Sequence, residues 1–260
     1  MSAGDAAAVV LVGGHESDHG VDLVRFEQAL GATAVGSGRA LADAVGPALD
    51  GGGPVVVVPM TFGRDPSMVA EAARTLRWLA PRRPGHLALA APFGITDHLV
   101  AHLRAATRRA LERDPGTAVV LVARASNPFD DAELRRVAHL VAVHGAGAEV
   151  AVATVEHDAD VAEAVRRLRL LGAERTTLVP AGFADALDVD VTAWSATTFS
   201  GPLVGDAAVA RIVAERVATA RHDLGHGRDG IDAGLLADHD HGYAHTHADH
   251  HHAHAVPAGR

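Results

Sequence analysis

The chain has 260 residues, 48% of them hydrophobic, a formal charge of −9 and no cysteine, which excludes a disulfide framework, a cysteine-based zinc site and a thiol nucleophile. Any transition metal must therefore rest on His, Asp and Glu. All 23 basic residues are arginine, which excludes a P-loop or Schiff-base lysine, and an acidic chain with 3% aromatics lacks the basic stripe and stacking rings of a nucleic-acid binder.

In chain order, β-branched runs at Val9–Val12, Val55–Val58, Leu87–Ala90, Val119–Val122, Val150–Thr154 and Thr176–Val179 alternate with helical patterns near 20–30, 39–49, 67–79, 96–113, 130–144, 158–171 and 206–220. This alternation predicts a parallel sheet, and an unbroken run such as Val55-Val56-Val57-Val58 predicts strands covered by helices on both faces. The chain also repeats itself. Ala8-Val9-Val10-Leu11-Val12 is matched by Ala118-Val119-Val120-Leu121-Val122, Leu41–Val45 by Val161–Val165, Pro59 and Phe62 by Pro180 and Phe183, and Pro92-Phe93-Gly94 with Asp97 by Pro202–Gly205 with Asp206. Anchors in a common order predict a duplicated unit. The expected fold is α/β, with two duplicated doubly wound parallel-sheet domains at 1–115 and 116–225 that meet at Asp114-Pro115-Gly116. No apolar run approaches the ~20 residues of a membrane helix, and Met1–Ala8 has no basic region, so the chain is expected to be soluble and cytoplasmic, without a membrane partner.

Beyond about Arg221 the periodicity stops. Residues 226–260 read as a metal-binding tail, expected to be disordered without metal, that carries His239, His241, His245, His247, His250, His251, His252 and His254. Interrupted histidines ending in Val256-Pro257-Ala258-Gly259-Arg260 do not look like an expression tag.

The first strand runs into Gly13-Gly14-His15-Glu16-Ser17-Asp18-His19-Gly20. Ligands of open α/β sheets collect beyond the carboxyl ends of the strands, paired glycines allow close backbone approach, and neutral imidazole is the commonest metal ligand. On spacing alone the loop reads equally well as a capping turn, with Ser17 or Asp18 as N-cap. After the next central strand comes Pro59-Met60-Thr61-Phe62-Gly63-Arg64-Asp65-Pro66, in which Asp65 offers an oxygen ligand and Arg64 a clamp for a substrate carboxylate. His15, Asp65 and Asp97 are expected to face one cleft. Other candidates are His98 and His102, at i,i+4 on an otherwise ordinary amphipathic helix, and the turn Glu156-His157-Asp158. His139 and His144 read as structural or solvated, and Trp78 and Trp194 as core. GxSxG, GxGxxG after a strand and HExxH are all absent from the sequence.

A strand entering Gly13-Gly14-His15, the Pro59 strand, the Pro92-Phe93-Gly94 turn and their shortened echo in the second half together resemble the two-repeat, CbiX-type sirohydrochlorin chelatases over residues 8 to about 220. The resemblance implies that His15 binds the incoming metal and assists its exchange for pyrrole protons. Taken with the residues' own chemistry, it makes Glu16 and Asp65 catalytic partners, Gly13, Gly14 and Arg64 the substrate-binding residues, and His15, Asp65 and Glu156 metal ligands, while the tail histidines are metal ligands on their composition alone. Two departures stand out. Glu16 replaces a small residue, and no histidine follows Pro59, so Asp65 takes that place with a harder donor. In the second half the loop matching His15 is Ala123-Arg124-Ala125-Ser126-Asn127-Pro128, without histidine. The implied activity is insertion of a divalent metal, Co(II) ahead of Ni(II) or Fe(II), into sirohydrochlorin or a related tetrapyrrole of cobalamin or sirohaem biosynthesis. The metal is then a substrate, no organic cofactor is expected, and metal-trafficking proteins are candidate partners. The alternative is a non-catalytic metal-storage or delivery protein that works through its tail.

Overall fold

The computed structural model describes residues 7–144, 147–187 and 194–238. The first half runs β1 (Ala8–Gly13), a 3₁₀ segment (His15–Phe26), α1 (Glu27–Leu30), β2 (Ala32–Gly36), α2 (Arg39–Asp50), β3 (Val55–Met60), α3 (Pro66–Leu79), β4 (Leu87–Leu89) and α4 (Thr96–Arg113). The second runs β5 (Thr117–Arg124), α5 (Pro128–His144), β6 (Val150–Val155), α6 (Asp158–Leu170), β7 (Arg175–Pro180), β8 (Thr197–Phe199) and α7 (Asp206–Gly225), followed by α8 (Ile231–Leu235). Each half forms a four-stranded parallel sheet, ordered β2-β1-β3-β4 and β6-β5-β7-β8. The registers obey the duplication: Val12 pairs with Pro59 as Val122 pairs with Pro180. Among the described residues no helix is long and apolar enough to cross a membrane.

Alternation along the strands sorts the core into three layers. Val10, Val12, Val55 and Val57 face outward onto α2 and α3, and Ala118, Val120 and Val122 face outward onto α6. Leu11, Val56, Val58 and Met60 share a central layer with Val119, Leu121 and Val179, so the two halves have one interior between them. The last helix of each half crosses over within it: α4 packs on β5, β7 and α5, whereas α7 packs on β3 and β4.

Several elements depart from the sequence pattern. The helix expected over 20–30 is mostly an irregular 3₁₀ segment, broken where Asp18, His19 and Gly20 adopt positive φ. The short strands β2 and β8 carry too few apolar residues to announce themselves. Trp78 is 73% exposed, because α3 turns Leu76 and Leu79 inward instead, while Trp194 packs against the outer layer of the second half. Residues 226–238, expected to begin a disordered tail, are folded: Leu89 N–H donates to Asp229 O (2.8 Å), Ile231 is buried and α8 lies on α3. Glycines conceal this segment in the sequence, yet they are what lets it dock, since a Cβ at Gly230 would lie 2.1 Å from Leu89 O. The histidines from His239 to His254 lie outside the described residues.

Candidate functional site

In a sheet ordered 2-1-3-4 the chain leaves strands 1 and 3 in opposite directions, opening a crevice at their carboxyl ends. Here the two crevices face each other. The loops after β1 and β3 meet the loops after β5 and β7, and His15 stands at the junction.

Asp65 arises from local capping chemistry. It is the N-cap of α3, with Pro66 behind it, and its Oδ1 accepts from Met68 N–H at 3.0 Å. Its Oδ2 accepts from the His15 backbone N–H at 2.9 Å and lies 3.0 Å from His15 Nδ1. Burial pushes the Asp65 carboxyl up, but the hydrogen bonds from His15 and Met68 outweigh it and hold the group below its ordinary value. The second half contributes as well. Ser126 Oγ lies 3.1 Å and Asp130 Oδ2 3.8 Å from the same Nδ1, and Asp130 is itself fixed by Ser126 (3.0 Å) and Asn127 (2.6 Å). A nitrogen facing two carboxylates carries the proton, which leaves Nε2 with the lone pair. Nε2 is buried without a hydrogen-bond partner. His15 lines a cavity of about 30 Å³ together with Glu16, Asp22, Arg124, Ala181 and Gly182. That volume suits about one water.

The other expected residues take different parts. Glu16 is fully buried and braces the loop after β3, accepting from Thr61 Oγ1, Phe62 N–H (3.1 Å) and Arg64 N–H (3.1 Å). Burial raises its pKa, opposed first by Arg64 and then by the bond from Thr61. Arg64 is 1% exposed, so it does not reach a carboxylate arriving from solvent; its Nη1 donates to Ala181 O (3.2 Å) across the halves, and its Nε and Nη2 have no partner. Gly13 and Gly14 serve the packing of their own loop. A Cβ at Gly14 would lie 1.9 Å from Asp65 Oδ2 and one at Gly13 2.2 Å from Ser17 Oγ. Glu156 is exposed at the end of the edge strand β6, its backbone N–H held by Asp160, and Asp97 is exposed with Arg136 as its charged neighbour, so neither joins His15. His98 Nδ1 accepts from Ile95 N–H (3.4 Å), while the half-buried His102 packs edge-on against Phe62, its pKa lowered by burial and then by His98 and Arg109. Among the described residues no three His, Asp or Glu side chains form a metal-ligand set, because the carboxylates gather on Nδ1 and not on Nε2. Ser126 lies in the loop that matches His15 in the second half, but its contact with His15, and that of Asp130, leave no mark in the sequence. Asn127-Pro128 with a following Asp marks a helix start, but nothing in it points to a loop from the other half.

Larger spaces lie away from His15. A cavity of about 660 Å³ sits between α7, α8 and the end of β4, and one of about 610 Å³ sits over β6 between α5 and α6.

No family model and no curated protein matches the chain. Among solved structures, SirB from Bacillus subtilis with Fe3+ aligns at TM-score 0.53 and 14% identity over 86% of this chain and 98% of that one. The fold is chelatase-like. The sirohydrochlorin chelatase SirB from Bacillus subtilis subspecies spizizenii, in complex with cobalt, aligns over the same shares at 14% identity with TM-score 0.48.

Proposed function

We propose that this chain binds a divalent metal through His15 Nε2 and inserts it into a tetrapyrrole of the sirohydrochlorin type, Co(II) ahead of Ni(II) or Fe(II). One observation carries the reading: a buried, unpartnered Nε2 on an imidazole whose other nitrogen is backed by Asp65 at 3.0 Å, where two chelatase-like crevices meet. A carboxylate behind Nδ1 fixes the tautomer and raises the basicity of Nε2, the usual arrangement behind a metal-binding histidine. One protein ligand suffices for a hand-over, because the macrocycle supplies the remaining nitrogens. Insertion of a divalent ion releases two pyrrole protons; once the ion has left Nε2, that nitrogen can take one while Nδ1 passes its own to Asp65 or to Asp130 beside it, and water takes the other. The test is incubation of the full chain with sirohydrochlorin and each metal, following the absorbance change of insertion. The reading requires a change for at least one metal and its loss in His15→Ala.

The cavity size favours a second reading. About 30 Å³ is far below the roughly 300–1,000 Å³ of small-molecule sites, so a tetrapyrrole enters only if the halves part. A protein that stores or delivers metal needs no such opening. Stoichiometric metal binding lost in His15→Ala, with no insertion into any tetrapyrrole, would select that reading.

A further inference from the structure

His222 stands on the last turn of α7 and His226 is its C-cap, both outside the site described above. Their i,i+4 spacing puts both on one face, and both are exposed, so neither ring is committed to the core. The rings lie 4.7 Å apart, centroid to centroid, at 66°. That separation can be checked against coordination chemistry. With a metal–nitrogen distance of about 2.0–2.1 Å each centroid lies about 3.2 Å from a shared ion, so two cis imidazoles at roughly 90–110° have centroids roughly 4.5–5.2 Å apart. The observed value falls inside that range.

The surroundings favour a cation. The carbonyl end of a helix carries partial negative charge. Asp223 lies between the two histidines in sequence and is paired with Arg228. That pair leaves the two imidazoles as the donors at this helix end.

We propose that His222 and His226 form a second metal site that takes one borderline divalent ion, Ni(II), Co(II), Zn(II) or Cu(II), on two imidazoles, with water completing the shell. Two nitrogen donors on an exposed helix end make an open, exchangeable site, unlike the four-ligand closure of a structural metal. It accepts ions from solution and releases them, and it lies on the helix after which the chain leads to the run His239–His254.

The test uses the full-length chain with His→Asn at every histidine from His239 to His254, so that the folded body is read alone, titrated calorimetrically with Ni(II). One ion is expected to bind at α7. His222→Ala and, separately, His226→Ala should each weaken it roughly 100-fold, the avidity gained by tethering two ligands. His222→Gln should behave like the alanine variant, which guards against a folding artefact. The double variant His98→Ala/His102→Ala and the variant His15→Ala should leave the α7 ion in place, so failure of the His15 reading does not touch this one. Ni(II) binding unchanged in both His222→Ala and His226→Ala, or no ion bound beyond the one lost with His15→Ala, overturns the proposal.

Discussion

Phe62 stacks on Phe183 with ring centroids 4.9 Å apart and planes at 24°, and Phe93 closes edge-on against both at 5.2 Å. The stacked pair occupies equivalent places after β3 and β7, so the duplicated motif packs against its own copy at the centre of the molecule. Both rings are buried. Phe183→Ala should cost about 3–5 kcal/mol, the usual range for emptying a buried aromatic site. The loop after β1 should stay anchored, because its bonds to residue 183 are made by backbone atoms that alanine keeps: the N–H donates to Glu16 O at 2.9 Å and the carbonyl accepts from Arg25 (3.1 Å). Chemical denaturation checks the first effect; a loss below about 1 kcal/mol would show that the ring is not a packing centre.

A loop histidine at a strand end is ordinarily neutral to stability, but His15 is only 9% exposed and bonded on Nδ1. His15→Ala should therefore lose metal binding at this site and also about 1–3 kcal/mol, since Asp65 loses the ring's bond and keeps only backbone and Ser67 donors, Ser126 Oγ keeps only Asp130, and a buried ring is removed. Thermal melts in chelator separate the stability loss from the metal effect.

Asp65 sets an acid limit. Its folded carboxyl titrates below the ordinary value of 3.8, so the folded state binds fewer protons than the unfolded one. The stabilisation is present above about pH 4 and lost as pH falls through the folded value. Asp65→Asn keeps an N-cap but loses the charge, so it should be less stable than the parent at pH 7 by about 1–2 kcal/mol, with the gap closing below pH 4. Denaturant midpoints at pH 7 and pH 3 decide it; an equal gap at both would remove Asp65 from the acid response.

Glu16 has the opposite sign. Burial raises its pKa, so its contribution is full below its ordinary value of 4.5 and falls as pH rises through the folded value. Arg64 opposes that rise. Arg64→Met should be nearly neutral below the ordinary value of 4.5, where Glu16 is protonated and an arginine with two unpartnered nitrogens has gone, and should cost increasingly more as pH rises, up to about 3 kcal/mol, where a buried carboxylate has lost its counter-charge. A destabilisation that does not grow with pH would mean that the two charges are not coupled.

Gly14→Ala tests the pairing of His15 with Asp65 without touching either. Its Cβ would fall 1.9 Å from Asp65 Oδ2 and 3.0 Å from Met68 Cβ, so the carboxylate must move. Loss of metal binding at His15 with about 1–3 kcal/mol of destabilisation is expected. Titration as tight as in the parent chain would show that the Asp65 contact is dispensable.

Much of the fold was legible. Repeated Val-rich runs can be buried on both faces only in a parallel sheet, and Pro59 with Phe62 and Pro180 with Phe183 betray the duplication. His15 and Asp65 were legible as strand-end residues. Their partners were not: Ser126 and Asp130 reach His15 only because the halves face each other, a long-range relation that no local pattern encodes. Arg64 and Glu16 misled for a related reason, since charged residues ordinarily seek solvent and these are buried where the two halves close on each other. The segment 229–235 was hidden because two glycines and one buried isoleucine leave no periodicity.

The exchange of α4 and α7 between the sheets constrains how the chain is made. During synthesis β1, β3 and β4 are all present once residue 89 has emerged, but the helix that covers the inner face of β3 and β4, and so Val56, Val58 and Met60, spans residues 206–225. That face stays open to other apolar chains for most of the time on the ribosome. At roughly 5–20 residues per second the interval lasts many seconds, long against the collapse of a domain. A nascent chain of this topology is a natural client for a holding chaperone, and a chain truncated before residue 206 should aggregate and not fold by halves.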